Sequence, residues 1–180
     1  MNHAKQMASI DFFTVPTATF RVLFVFVVLS HARRRVLHFQ VTEHPTQEWT
    51  MQQIREAFPW EQVPRYLLRD RDAIYGRDFA ALTTDMGMEE VVTAPRAPWQ
   101  NPRLVGSIRR ECLDHVIVWN QRSLRRILRS YFAYYQHSRT HLALGKDAPE
   151  PRTVEPPDQG RVFAIPQVGG LHHRYQRRAA

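Results

Sequence analysis

Two aspartates in predicted β-strands are the first candidates for chemistry in this sequence. Asp11 lies inside the apolar run "ASIDFFTV", and Asp70 ends the run "YLLRD". An ionised carboxylate within an apolar strand needs a compensating cation, and strand ends are where α/β sheets gather functional groups. On neighbouring strands the pair would form an oxygen-only site suited to Mg²⁺ or Mn²⁺. The alternative for Asp70 is a turn cap or an ion pair with Arg69 or Arg71.

A second set of candidates is basic and lies in two helical segments, "GSIRREC" and "NQRSLRRILRSYFAYYQH". The apolar stripe of each segment leaves the other faces to arginines. These are Arg109, Arg110, Arg122, Arg125, Arg126 and Arg129. Each one alone is typical of a solvated helix face, whereas the group favours contact with phosphates.

Composition restricts the class of protein and its partners. The 180 residues carry a formal net charge of +8 and are 43% hydrophobic, which excludes global disorder and favours nucleic acid as a partner. The single cysteine, Cys112, cannot form an internal disulfide, so we expect a reducing cytoplasmic setting. The apolar run from Val22 to Leu29 is far short of the ~20 residues that span a bilayer, so we expect no membrane association.

The elements that must position these residues follow from hydrophobic periodicity. The sequence predicts three adjacent antiparallel strands over 6–15, 21–30 and 35–43, with a hairpin tip at 33–35. It then predicts a helix with Thr46 as N-cap, a strand over 64–70, a helix ended by Gly87 and a fifth strand over 88–95. A three-strand meander followed by alternating helices and strands indicates an α/β fold with a mixed sheet covered by helices.

The last third is predicted to be helical and then irregular. A helix begins after Asn120 and carries an apolar stripe. Proline and acidic residues from Pro149 to Pro157 indicate an extended linker. The end could form a short hairpin around Gly169 and Gly170, with a frayed basic terminus.

Five motifs in order resemble a known family: "ASIDFFTV", "LLRDRDAIYG", "TAPRAPWQNP", "GSIRRECLDHVI" and "YYQHSRTHLALG". They are similar to the integrase core of bacterial insertion-sequence transposases and retroviral-type integrases, over roughly Lys5 to Pro151. The resemblance implies a ribonuclease-H-like fold, with a five-stranded mixed sheet flanked by helices. It also implies chemistry in which two Asp and one Glu hold two divalent ions, Mg²⁺ or Mn²⁺, for in-line attack on a phosphodiester.

The resemblance assigns roles to particular residues. Asp11 takes the position of the first Asp and Asp70 that of the second, while Asp72 is interpreted as a turn residue rather than a ligand. Trp99 and Gln100 resemble a flexible loop that approaches DNA in relatives, although Trp99 could instead pack against the domain.

Domain boundaries follow from the same resemblance. We interpret 1–6 as the remnant of an upstream linker, 7–148 as the integrase core domain and 149–180 as a proline-rich linker with a basic tail. The residues that close the core are interpreted as structural: Tyr134, Tyr135, His137, Arg139 and His141.

The third carboxylate of the family pattern is missing from the sequence. Relatives carry a Glu in the first turn of the helix after "PWQN", about 35 residues beyond the second Asp. Counting forward reaches Val105, and matching backward from "GSIRREC" reaches Pro102, because the segment is about three residues short. Glu111 would lie roughly 13 Å farther along the helix, and Glu89 and Glu90 are expected to be solvated. The site therefore keeps two ligands of three.

Two classes of function stay open at this point. Relatives carry a helix-turn-helix region ahead of the core, and only "MNHAKQ" precedes the first strand here, so we expect a truncated or decayed transposase. The chain is then either a metal-dependent strand-transfer enzyme of DNA, or an inactive fold. The inactive fold would bind DNA at the nucleoid, form homo-oligomers, or pair with a full-length transposase and interfere with it.

Overall fold

The computed structural model describes residues 3–59, 63–93 and 103–179. Its strands are β1 Met7–Pro16, β2 Val22–Ser30, β3 Arg35–Thr42, β4 Tyr66–Arg69, β5 Glu89–Val92, β6 Arg161–Gln167 and β7 His172–Arg178. Its α-helices are α1 Gln47–Ala57, α2 Arg77–Asp85, α3 Arg103–Glu111 and α4 Gln121–His137. Within these ranges, no helix has the length and apolarity needed to cross a bilayer.

The first five strands form one mixed sheet in the order β3-β2-β1-β4-β5. Strands β1, β2 and β3 pair antiparallel, as expected for a meander, and β4 and β5 join in parallel beside β1. Each parallel connection carries a helix, α1 before β4 and α2 before β5, which is the usual way to join parallel strands. The predicted five-stranded mixed sheet is confirmed.

Helices cover both faces of the sheet. On one face, α1 and α2 pack against Ala8 and Ile10 of β1, and on the other, α3 and α4 pack against Phe13 and Val15. Side chains alternate between faces along a strand, so Asp11 points to the same side as Phe13. The sheet therefore directs Asp11 toward α3 and α4.

Local capping fixes where the helices begin. The side chain of Thr46 accepts a hydrogen bond from the Trp49 N–H at 3.1 Å, as expected for the N-cap of α1. Asn120 caps α4 in a capping box with Ser123. The last residues of α2 lead into Gly87, whose φ of 80° suits a glycine after a helix end. These three boundaries are those the sequence predicts.

The C-terminal region is more ordered than the sequence suggests. The segment after Ala148 is held against the core, since Arg33 Nε donates to Pro149 O at 2.8 Å and Glu150 N–H to Gln136 O at 3.0 Å. Strands β6 and β7 form the expected hairpin, and pairing continues to Arg178 rather than fraying.

Candidate active site

The parallel pairing of β1 and β4 brings Asp11 and Asp70 side by side. Ser9 pairs with Leu68 at the end of the ladder, and Asp11 and Asp70 each follow two residues later, near enough for the charge of Asp70 to act on Asp11. Paired residues of parallel strands share a face, and adjacent strands lie ~4.8 Å apart. The structure thus brings together the two carboxylates that the sequence selected.

The local electrostatics show that the two acids interact. Burial first and the charge of Asp70 second raise the pKa of Asp11 from 3.8 to about 7, against a lowering effect of the Phe12 backbone N–H. Two carboxylates that share a site without a cation cannot both ionise readily. The pair is therefore short of positive charge near neutral pH.

The arginines beside Asp70 do not supply that charge. The Nε of Arg69 pairs with Glu90 Oε2 at 2.7 Å, and its Nη1 donates to the backbone oxygen of Asp70. Arg71 Nε reaches the carbonyl of Thr93 at 3.4 Å. The alternative of an Asp70 ion pair with a neighbouring arginine is not what the structure shows. It also corrects the expectation for Glu90, which is held by Arg69 and by the Thr83 hydroxyl at 2.5 Å instead of being solvated.

A tight turn follows Asp70. Its Oδ1 accepts the Asp72 N–H at 3.1 Å, and Asp72 Oδ1 accepts the Ile74 N–H at the same distance. Asp70 therefore does have a turn-capping role, and Asp72 is engaged as a turn residue. Both contacts leave further carboxylate lone pairs available to a cation.

Tyr75 is a residue at this site that sequence reasoning missed. It is 6% exposed, and its hydroxyl has no hydrogen-bond partner among the residues that the structure describes. Burial raises the pKa of Tyr75 well above its usual value, and the charges of Asp70, Asp11 and Asp72 raise it further. The only sequence signal was its position five residues after Asp70 in the motif "LLRDRDAIYG".

Helix α3 faces Asp11 with apolar side chains. Leu104 and Val105 line a small cavity together with Asp11 and Ser9. Val105 is the residue reached by counting forward from Asp70, so that count does reach the part of α3 beside the acids. No Asp or Glu occurs between Glu90 and Glu111 in the sequence.

Glu111, at the far end of α3, is committed to a different network. Arg139 donates two hydrogen bonds of 2.6 and 2.7 Å to its carboxylate, and the Tyr131 hydroxyl donates a third at 2.9 Å. Burial would raise the pKa of Glu111, but the hydrogen bonds and charge of Arg139 outweigh that effect and lower it. His141, which contacts Arg139 at 3.1 Å, is also buried, as expected for a structural motif.

The acid pair fits a divalent cation in part. Its donors are carboxylate oxygens, as Mg²⁺ and Mn²⁺ prefer. The raised pKa of Asp11 indicates a carboxyl group short of positive charge, and the buried Tyr75 hydroxyl has no hydrogen-bond partner within the described ranges. Among the described residues, however, no group of three or more His, Cys, Asp or Glu side chains is arranged to hold a metal.

The predicted DNA-contacting arginines divide into two groups. Arg125 donates to Val41 O at 2.9 Å, and Arg109 donates to Thr14 O at 3.1 Å and lies over the Phe13 ring, so both have contacts within the fold. Arg110 is exposed and lies back along α3, against Gly106. The exposed α4 arginines with one-face spacing are Arg122, Arg126 and Arg129. Trp99 and Gln100 lie outside the described residues.

Comparisons with known proteins agree with this architecture. Residues 86–149 match the family model described as the integrase core domain. No curated protein matches the chain by sequence. The matched segment lies inside the region that carries the motif resemblance, and it confirms that resemblance.

Solved structures show the same fold at low identity. A chain of the cryo-EM structure of a simian T-cell lymphotropic virus intasome, in complex with PP2A regulatory subunit B56 gamma, aligns with a TM-score of 0.62 and 13% identity. The alignment covers 95% of this chain and 66% of that one, so this chain spans just under two thirds of its length. The catalytic domain of the Mos1 mariner transposase aligns with a TM-score of 0.62 and 15% identity, over 72% of this chain and 71% of that chain.

A third structure contains a metal. The HTLV-2 integrase catalytic core domain, in complex with magnesium, aligns with a TM-score of 0.61 and 10% identity, over 81% of this chain and 93% of that chain. Together these likenesses show a ribonuclease-H-like fold, with its mixed five-stranded sheet flanked by helices.

Proposed function

We propose that this chain is an integrase-core domain of the transposase type, which binds DNA in the bacterial cytoplasm, and that it does not catalyse strand transfer with its present α3. The observation that supports the proposal is that Asp11 interacts electrostatically with Asp70 and shares a small cavity with Leu104 and Val105 of α3. The two aspartates form a pair of the kind that can bind a divalent metal ion. The α3 residues Leu104 and Val105 provide no third carboxylate.

The residues divide the chemistry as follows. Asp11 and Asp70 would hold a divalent ion, which when bound would activate an attacking hydroxyl and stabilise the leaving oxygen of a phosphodiester. Asp70 is oriented for this by the Asp72 N–H. On α3, Val105 lines the cavity beside Asp11 and has no oxygen to offer a cation. With two protein ligands, the attacking and leaving oxygens would be poorly aligned, and misalignment is costly for in-line displacement.

Restoring the carboxylate tests the proposal. The tripeptide Ala-Ala-Glu inserted between Pro102 and Arg103 places a Glu directly before α3, and Ala-Ala-Gln in the same place is the matched control. We expect strand transfer into a pre-cleaved duplex with Mn²⁺ to be undetectable for the parent and the Gln control. For the Glu variant we expect it to rise by about 100-fold or more.

A second variant uses the structure directly. Because Val105 lines the cavity beside Asp11, Val105→Glu should also give activity above its Val105→Gln control. If the parent is already as active as the insertion variant, and Asp70→Asn abolishes that activity, another residue completes the site and the inactive assignment is wrong.

The alternative function is non-catalytic: DNA binding, or interference with an intact transposase through pairing. The observation that favours it is the exposed row of Arg122, Arg126 and Arg129 on α4, a helix that contains no acidic residue. Contacts of this kind go to phosphates and do not read sequence.

Neighbouring arginines on α4 provide a matched test of this binding. Arg126→Gln should lower the slope of log affinity against log salt by about 1, measured by fluorescence anisotropy on scrambled duplexes. Arg125→Gln should change the slope less, since Arg125 is tied to Val41 O. Strong preference for one sequence that survives high salt would contradict this interpretation.

A further inference from the structure

The C-terminal hairpin, β6 and β7 with their connecting turn, has an unusual charge for a surface ribbon. From Gly160 to the end the sequence contains no Asp or Glu. Its basic residues are Arg161, His172, His173, Arg174, Arg177 and Arg178. A segment with this balance attracts polyanions wherever it is held.

The hairpin is held firmly against the domain rather than projecting from it. The His172 ring stacks on Tyr134 with centroids 4.3 Å apart and planes 4° from parallel, and its Nε2 lies 2.7 Å from Glu111 O. Val168, in the turn, is buried in the core formed by α3 and α4. The base is closed by Gly160, where a Cβ would lie 2.1 Å from Arg178 O.

One face of this fixed ribbon exposes aromatic and apolar groups. The register pairs Val162 with Arg177, Ala164 with Tyr175 and Pro166 with His173, which places these side chains on a common face. Tyr175 is 63% exposed and Val162 54%. A ribbon that buries His172 and Val168 has kept Tyr175 in solvent. Tyr175 lines a cleft with basic residues, Lys146, Arg152, Arg174 and Arg177, and with three acids. The acids already have partners: Asp147 pairs with Arg33, Glu150 pairs with His137, and Glu155 accepts the Arg177 N–H.

We propose that this face of the hairpin binds single-stranded DNA. An unpaired base can stack on the ring of Tyr175, and His173 at one end of the row can contact a flanking phosphate. At the other end Arg177 donates from Nη1 to Gly160 O at 3.0 Å, which leaves its other guanidinium nitrogens for a second phosphate. A duplex fits less well, because proteins that place a ribbon in the major groove read base edges with polar side chains. Here the centre of the row is Ala164 and Tyr175. The inference rests on the proposed function only in taking DNA as the substrate.

Tyrosine variants of the full chain test the proposal by fluorescence anisotropy with a labelled oligothymidylate of about 20 nucleotides, in EDTA. We expect Tyr175→Ala to weaken binding roughly 5- to 100-fold, and Tyr175→Phe, which keeps a ring for stacking, to bind as the parent does. The matched control is Phe20→Ala, because Phe20 is 97% exposed and lies beside an arginine already paired with Glu43. It should bind as the parent does.

Several results would overturn the proposal. These are an unchanged affinity in Tyr175→Ala, an equal loss in Phe20→Ala, tighter binding of a duplex than of the single strand, or no binding by the parent. A dimer that becomes a monomer in Tyr175→Ala, measured by light scattering, would show that a second copy covers the face. The assay needs no metal, so its failure is distinct from inactivity of the Glu-restored enzyme.

Discussion

Helix α3 joins two regions in which carboxylates have opposite environments. At its end, Glu111 receives three hydrogen bonds from Arg139 and Tyr131. Near its start, Asp11 is partly buried beside Asp70, and no ion pair is found for either one among the residues that the structure describes. A carboxylate that serves the fold is saturated by its neighbours, whereas one kept for a ligand is left in need of charge.

The largest expected effect is at the saturated end. Glu111→Ala leaves the guanidinium of Arg139 half-buried without its partner, so the free energy of unfolding should fall by about 3 kcal/mol. Urea denaturation measures this change. The control is Glu89→Ala on exposed β5, which should cost under about 0.5 kcal/mol. Equal losses in the free energy of unfolding for the two variants would contradict the view that the contacts of Glu111 stabilise the fold.

At the acid pair, we expect removal of a carboxylate to raise the free energy of unfolding rather than to lower it. Because the folded-state pKa of Asp11 is raised from 3.8 to about 7, the folded protein binds the proton more tightly than the unfolded chain. Stability is therefore greatest below pH 3.8 as far as this group is concerned, and is lost as pH rises toward 7.

Asp11→Asn removes the ionisable group, and with it the decrease in stability as pH rises. In metal-free buffer the variant should equal the parent near pH 4 and exceed it by about 2 kcal/mol near pH 8. Urea denaturation across this pH range gives both values. Stability curves that run parallel at all pH values would show that Asp11 carries no such strain.

The smallest expected changes in stability are those of two tyrosine variants, and they have opposite signs. Tyr75→Phe deletes a buried hydroxyl without a partner, so it should stabilise the fold by about 1 kcal/mol. Tyr131→Phe deletes a hydroxyl that donates to Glu111, so it should destabilise by about 1 kcal/mol. Thermal unfolding of both variants beside the parent checks the pair of signs. The same sign for both would contradict the comparison.

Local signals predicted the elements well. Thr46 caps α1 as expected, since capping depends on residues within one turn, and α4 begins within one residue of the start predicted at Asn120. The neighbourhood of Asp11 and Asp70 followed from the family resemblance, and the register of β1 and β4 agrees with it.

The contacts that could not be predicted are long-range. Arg69 finds Glu90 across the β4–β5 register, not Asp70 beside it in sequence. His172 meets the carbonyl of Glu111 from 61 residues away. No period or motif encodes such pairings, because they depend on how separate elements pack.

The anchoring of Glu111 also has an evolutionary consequence. Since Arg139 and His172 hold the end of α3, the helix cannot slide along its axis when residues are added or removed ahead of Arg103. A length change there is confined to the segment that precedes the helix. On the inactive function proposed above, loss of an acidic ligand would leave the scaffold intact, and we expect an in-frame insertion that restores a Glu ahead of α3 to leave it intact as well.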